Sequence, residues 1–110
     1  MQPDQDWEAA EPGVARRLVA LGQRMMAIRV RFSEGAEGAL HAHPHEQITQ
    51  VLRGRFRFWL GARELELAPG DTLLIPAGVE HGALALEEGE LLDIFSPLRE
   101  DLLPPSPERV

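Results

Sequence analysis

The chain has 110 residues, 44% of them hydrophobic and 26% charged, with a formal net charge of −7. That length suits one domain around a single core, and the acidic balance argues against a general affinity for nucleic acid or anionic membrane. Cys, Lys and Tyr are absent, which excludes disulfides, a thiolate nucleophile, cysteine-ligated metal, Schiff-base lysine chemistry and a tyrosine acid.

Residues 1–13 carry acids, two prolines and little apolar pattern, and predict a loose N-terminal arm. The segment lacks the apolar stretch of a signal peptide, and no run approaches the roughly 20 apolar residues that span a bilayer; the expectation is a cytoplasmic protein. Beyond the arm a period of two dominates, the mark of strands. Met26, Ile28, Val30 and Phe32 alternate with Ala27, Arg29 and Arg31; Phe56, Phe58 and Leu60 with Arg57 and Trp59; Leu65 and Leu67 with Glu64 and Glu66. Breaks rich in Gly, Pro or Glu at 34–38, 54, 61, 68–70, 76–78 and 87–90 separate these runs. Short strands with regularly spaced turns predict an all-β sandwich or barrel. The single helical turn is predicted near 97–103. The domain is expected over 14–103, with the Pro-rich 104–110 as a frayed tail. Arg53, Arg55 and Arg57 form a basic row between aromatics; in an acidic chain this reads as an outward strand face with Phe56 and Phe58 in the core, not as a nucleic-acid strip.

The chemistry left by this composition rests on four His, the carboxylates, Arg and a metal. None of Ser33, Ser96 and Ser106 lies in a nucleophile-elbow sequence. His41 and His43 are two apart, so on a strand their imidazoles share a face and can reach one cation. His45 and Gln47 have the same parity, but Pro44 interrupts the strand, and parity alone does not choose between them.

Wider spacing adds to this. The segments Gly35-x5-His41-x-His43-x3-Gln47-x6-Gly54 and Gly70-x5-Pro76-x-Gly78-x2-His81-x3-Ala85 resemble the two signature motifs of the cupin superfamily. The resemblance covers about 35–85 and implies a double-stranded β-helix, a jelly roll of two packed antiparallel sheets. It also implies that His41, His43, Gln47 and His81 surround one divalent transition metal (Zn, Ni, Fe, Mn or Cu). The chain departs from the common pattern at Gln47, where Glu is usual, and at Ala85, where Asn often stands. With an amide in place of the carboxylate, the charge of the ion stays uncompensated, which favours an anionic oxygen ligand. Glu46 then faces solvent or supports the ligands from behind.

In LLDIFSPLRED at 91–101, Leu91, Asp93 and Phe95 share one strand face. A carboxylate among large apolar residues needs a partner such as Arg99, the metal or a ligand proton. Together with HAHPHEQITQVLRG and GDTLLIPAGVEHGALALE, this segment is similar to the small pectin-degradation cupins that act on unsaturated uronates, in which Gln at the fourth ligand position is typical. That resemblance implies conversion of 4,5-unsaturated monouronates, released by pectin or alginate lyases, into linear keto-uronates. It also implies that Asp93, Phe95 and Arg99 line the active site: Asp93 as acid and base, Phe95 as a wall and Arg99 toward a small anionic sugar-acid substrate. The rival readings are a non-catalytic metal cupin for a small acid or sugar, another cupin enzyme such as a dioxygenase or epimerase, and a barrel in which the metal only staples the core. Open edge strands in so small a jelly roll predict a homodimer, with the segment from Trp7 to Val19 able to add a strand to a partner.

Overall fold

The computed structural model describes residues 7–103. In chain order its strands are β1 (Glu8–Glu11), β2 (Val14–Leu21), β3 (Met26–Phe32), β4 (Glu37–His41), β5 (Glu46–Arg53), β6 (Phe56–Leu60), β7 (Arg63–Leu67), β8 (Thr72–Ile75), β9 (His81–Ala85) and β10 (Gly89–Ser96), followed by a 3-10 turn at Glu100–Leu102. They form a six-stranded sheet ordered β1-β2-β3-β10-β5-β8 and a four-stranded sheet ordered β4-β9-β6-β7. Every pairing is antiparallel. From β3 to β6 the chain changes sheet at every step, and β10 returns to lie between β3 and β5. This is the jelly-roll arrangement expected from the sequence. No helix among the described residues is long and apolar enough to cross a membrane.

The period-two pattern explains which side chains face inward. Phe56, Phe58 and Leu60 are buried along β6, while Arg57 and Trp59 between them are only partly covered. Phe32, Val51, Phe56, Phe58, Ala83, Ala85 and Leu91 belong to one apolar cluster. A second, of Met26, Ile28 and Phe95, is capped by Leu98, Leu102 and Leu103 from the 3-10 turn and its flanks. Ala85 is fully covered opposite Phe56, so the position where Asn is often found has become core. The basic row is paired with glutamates: Arg53 with Glu88, Arg55 with Glu66 and Arg57 with Glu64. Exposed pairs of this kind contribute about 0–1 kcal/mol each.

The expectation of a loose arm over 1–13 is corrected for part of its length. Glu8–Glu11 forms β1 and pairs with β2 of the same chain, after the turn made by Pro12 and Gly13, whose φ is +77°. All four β1 side chains are exposed, so no apolar alternation marked this strand. It is held by backbone pairing, by the Glu11 carboxylate accepting from the Ala39 N–H at 3.2 Å, and by Arg31 stacked over Trp7 at 3.8 Å. Residues 1–6 of the arm and the tail 104–110 lie outside the described residues.

Between β5 and β6 the chain turns at Gly54, whose φ is +78° and where an added Cβ would stand 2.5 Å from the Glu88 carbonyl oxygen. Gly54→Ala is expected to destabilise the protein by more than the about 1–3 kcal/mol of left-handed backbone strain alone, measured by urea unfolding.

Candidate metal centre and active site

His41 ends β4 and His81 begins β9, and the two face each other in register; their rings stand 4.4 Å apart. His43 lies on the segment between β4 and β5, where its carbonyl accepts the Gly78 N–H at 2.8 Å. That bond ties the first motif to the turn Pro76–Gly78, which delivers His81. Gln47, the second residue of β5, points inward and is buried, whereas Glu46 before it is exposed. One ligand nitrogen from each of His41, His43 and His81 lies within 4.8 Å of the others. His45 is outside this cluster: its carbonyl accepts from His43.

The hydrogen bonds define how the imidazoles are presented. Nδ1 of His41 meets the Ala39 carbonyl at 2.8 Å, Nδ1 of His43 the His45 carbonyl at 3.0 Å, and Nδ1 of His81 the Val79 carbonyl at 2.9 Å. A carbonyl can only accept, so each Nδ1 carries the proton and each Nε2 offers a lone pair. Burial disfavours the charged form of two of these rings, lowering His43 below the usual imidazole value and His81 to about 4. His81 Nε2 is buried without a partner. His43 Nε2 stands 3.0 Å from Gln47 Oε1, so two acceptors face each other with no proton between them. Such a convergence is unfavourable by itself and is relieved by a cation. The residues present fit a divalent metal.

A hydrogen-bonded chain leads away from this cluster. Gln47 Nε2 donates to Thr49 Oγ1 at 2.8 Å, and Thr49 Oγ1 donates to Asp93 Oδ1 at 2.7 Å. Asp93 and Thr49 are direct cross-strand partners on β10 and β5. Burial pushes the Asp93 carboxyl up to about 6, against the opposing pull of the Thr49 hydrogen bond. Phe95 lies edge-on to His43 at 5.7 Å, and the Arg99 guanidinium sits 5.1 Å from the Phe95 ring centre.

His41, Gln47, His81, Asp93, Phe95 and Arg99 therefore line one cavity of about 330 Å³, a size suited to a small ligand. Six of the seven expected site residues line the cavity; His43 is not among the lining residues and stands against His41 and His81, with ring centres 5.4 and 4.8 Å away. One expectation needs refinement. Among the partners considered for Asp93 was Arg99, but the side chains that hydrogen-bond to it are Thr49 and Gln47. Arg99 instead holds Asp101, with Nε at 3.3 Å and a terminal nitrogen at 2.7 Å from the carboxylate oxygens.

Three residues of the site escaped the sequence reading. Thr49 shares inward parity with Gln47, a signal that was available; Arg16, on β2, shares parity with Val14 and also lines the cavity. Asp101 had no local signal.

The family described as a cupin domain matches residues 28–95. The chain is 35% identical over 99 residues to the pectin degradation protein KdgF of Dickeya dadantii (strain 3937), covering 88% of this chain and 90% of that protein. Among solved structures, KdgF from Halomonas sp. superposes with a TM-score of 0.87 at 40% identity, over 94% of this chain and 96% of the other. An RmlC-like cupin from Shewanella frigidimarina NCIMB 400 gives the same TM-score at 35% identity, over 94% of each chain.

Proposed function

The chain belongs to the cupin family, and we propose that within it the protein is a metal-dependent isomerase of pectin degradation, opening 4,5-unsaturated monouronates to linear keto-uronates. Similarity to KdgF from two organisms supports the pectin-degradation reading. The observation that carries the chemistry is the placement of Asp93, raised to about 6, in the same cavity as His41, Gln47 and His81. A carboxyl tuned toward neutrality is suited to taking up and returning a proton. The non-catalytic reading gives no reason for such a group in the cavity, and a ligand set without a carboxylate differs from the facial arrangement of the iron oxygenases.

His41, His43, Gln47 and His81 would hold the metal, which supplies Lewis acidity toward a carboxylate or enolate oxygen. The reaction is a rearrangement and needs no oxidant. Asp93 takes the proton of the anomeric hydroxyl as the C1–O5 bond breaks and O5 becomes the enolate oxygen at C5. The same carboxyl then delivers a proton to C4, converting the enolate to the C5 ketone. Phe95 walls the ring and keeps water from the Asp93 side, while Arg99, aligned by Asp101, and Arg16 offer positive charge to the substrate carboxylate.

The test is incubation with freshly prepared unsaturated galacturonate, following loss of the C4=C5 ultraviolet band. The metal-loaded protein is expected to remove the band well above the spontaneous rate, and a rate equal to buffer overturns the proposal. The protein is also proposed to be a homodimer through its open sheet edges; light scattering is expected to give twice the chain mass, and a monomer mass contradicts this.

A further inference from the structure

We propose that Thr49 is a positioning residue that orients the amide of Gln47, so that its oxygen faces the metal and its nitrogen faces away. The inference rests on the metal site at the histidines and is independent of whether uronates are the substrate.

The argument is one of donors and acceptors. Thr49 is 0% exposed, so its hydroxyl has no water to turn to and must satisfy itself within the protein. A hydroxyl has one proton to give and lone pairs to accept with. The proton goes to the Asp93 carboxyl, whose Oδ1 accepts it at 2.7 Å. What remains toward Gln47 is a lone pair, which requires an N–H there, and Gln47 Nε2 supplies it at 2.8 Å. A flipped amide would set Oε1 against the Thr49 oxygen with no proton between them. The hydroxyl thereby directs Oε1 toward His43 Nε2, at 3.0 Å, where the lone pairs converge. The order Gln47, Thr49, Asp93 is thus a one-way chain of donation that ends on the acid.

The same accounting explains why an amide stands where cupins usually carry a carboxylate. Glu at 47 would have no N–H for Thr49. Two carboxylates, at 47 and 93, would then compete for a single hydroxyl proton in a buried site, at the full cost of one unsatisfied charged acceptor. With Asp93 on the neighbouring strand and Thr49 between them, Gln is the residue that completes the chain. Without the hydroxyl, only the Asp93 carboxyl is left to hold the NH2, and the amide turns more readily to present it to the His43 lone pair. That hydrogen bond occupies the position the ion needs, so the metal-free state gains and metal affinity falls.

Thr49→Val keeps the shape of the side chain and removes only its hydrogen bonding, while Thr49→Ser restores the hydroxyl. The measurement is Co(II) affinity by competition with a chromophoric chelator, together with the visible spectrum of the bound Co(II). Thr49→Val is expected to bind Co(II) about 10–100-fold more weakly with shifted ligand-field bands, and Thr49→Ser is expected to return both to wild type. In a Gln47→Ala background, Thr49→Val is expected to cause no further loss, because the residue through which it acts is gone; loss from packing alone would persist there. If Thr49→Val does not fold, Thr49→Ala replaces it in the same comparison. Wild-type affinity and spectrum in the hydroxyl-free variant overturn the inference while leaving the metal site intact. Absence of Co(II) binding by the wild type overturns the metal site and Thr49's role together. Failure of the uronate assay alone touches neither.

Discussion

Asp93→Asn is expected to reduce turnover of unsaturated uronate by about 10²–10⁴-fold, the usual contribution of a positioned acid and base, while the protein still binds its metal. The same substitution is expected to stabilise the metal-free fold at neutral pH. Burial raises the folded-state pKa of Asp93 from 3.8 to about 6, so the folded protein holds this proton more tightly than the unfolded chain. The group's favourable contribution is therefore complete below pH 3.8 and is lost as pH rises through about 6. On the basis of 1.36 kcal/mol per pKa unit, the loss by pH 7.5 is on the order of 2–3 kcal/mol. An amide at 93 keeps an oxygen for the Thr49 hydroxyl and carries no charge to desolvate. Urea unfolding of metal-free protein is expected to show Asp93→Asn more stable than wild type at pH 7.5, with the advantage shrinking toward pH 4. A variant that is inactive yet more stable identifies the acid as a functional cost to the fold; equal stability at both pH values contradicts its burial as a charge.

His81→Ala is expected to remove most of the stabilisation that metal confers. A ligand at 100 times its dissociation constant adds about 2.7 kcal/mol to the wild type, and chelation should withdraw the same amount. The alanine variant loses a buried imidazole whose Nε2 has no protein partner, so its metal-free stability suffers only from the smaller side chain and the lost Nδ1 hydrogen bond to the Val79 carbonyl. Thermal unfolding with and without chelator is expected to separate the two conditions clearly for wild type and to merge them for His81→Ala. A wild type indifferent to chelation would remove the reason for the convergence of lone pairs at His43, Gln47 and His81.

Much of this site was legible before any coordinates. Alternation placed Met26, Ile28, Phe56 and Phe58 inside, and the two spaced motifs pointed to His41, His43 and Gln47, around β4 and β5, meeting His81 from the sequence-distant β9. Parity on β10 put Asp93 on the face of Phe95. What the sequence could not display was partnership. The opposition of Asp93 and Thr49 is a matter of register between β10 and β5, set by the closure of the whole sheet, and parity says which way a side chain points but not whom it meets. Arg99 was the evident cation for Asp93, yet the 3-10 turn that follows it brings Asp101 within reach of its guanidinium. The strand Glu8–Glu11 was invisible for a related reason: with every side chain exposed, its pairing is carried by the backbone, which leaves no apolar pattern to read.

The role of Gln47 joins the two halves of the account. Its oxygen faces the imidazoles and its nitrogen begins the donation chain to Asp93, so in the proposed reaction metal binding and proton transfer would share one side chain. A site organised in this way should protonate its product from one direction, since Asp93 approaches the substrate only from the β10 wall. The most direct measurement is turnover in D2O by metal-loaded protein, with the deuterium position in the linear keto-uronate read by NMR before further exchange. The account predicts rapid formation of product carrying a single deuterium on one face of C4, lost in Asp93→Asn; product formed at the spontaneous rate, or labelled equally on both faces, contradicts it.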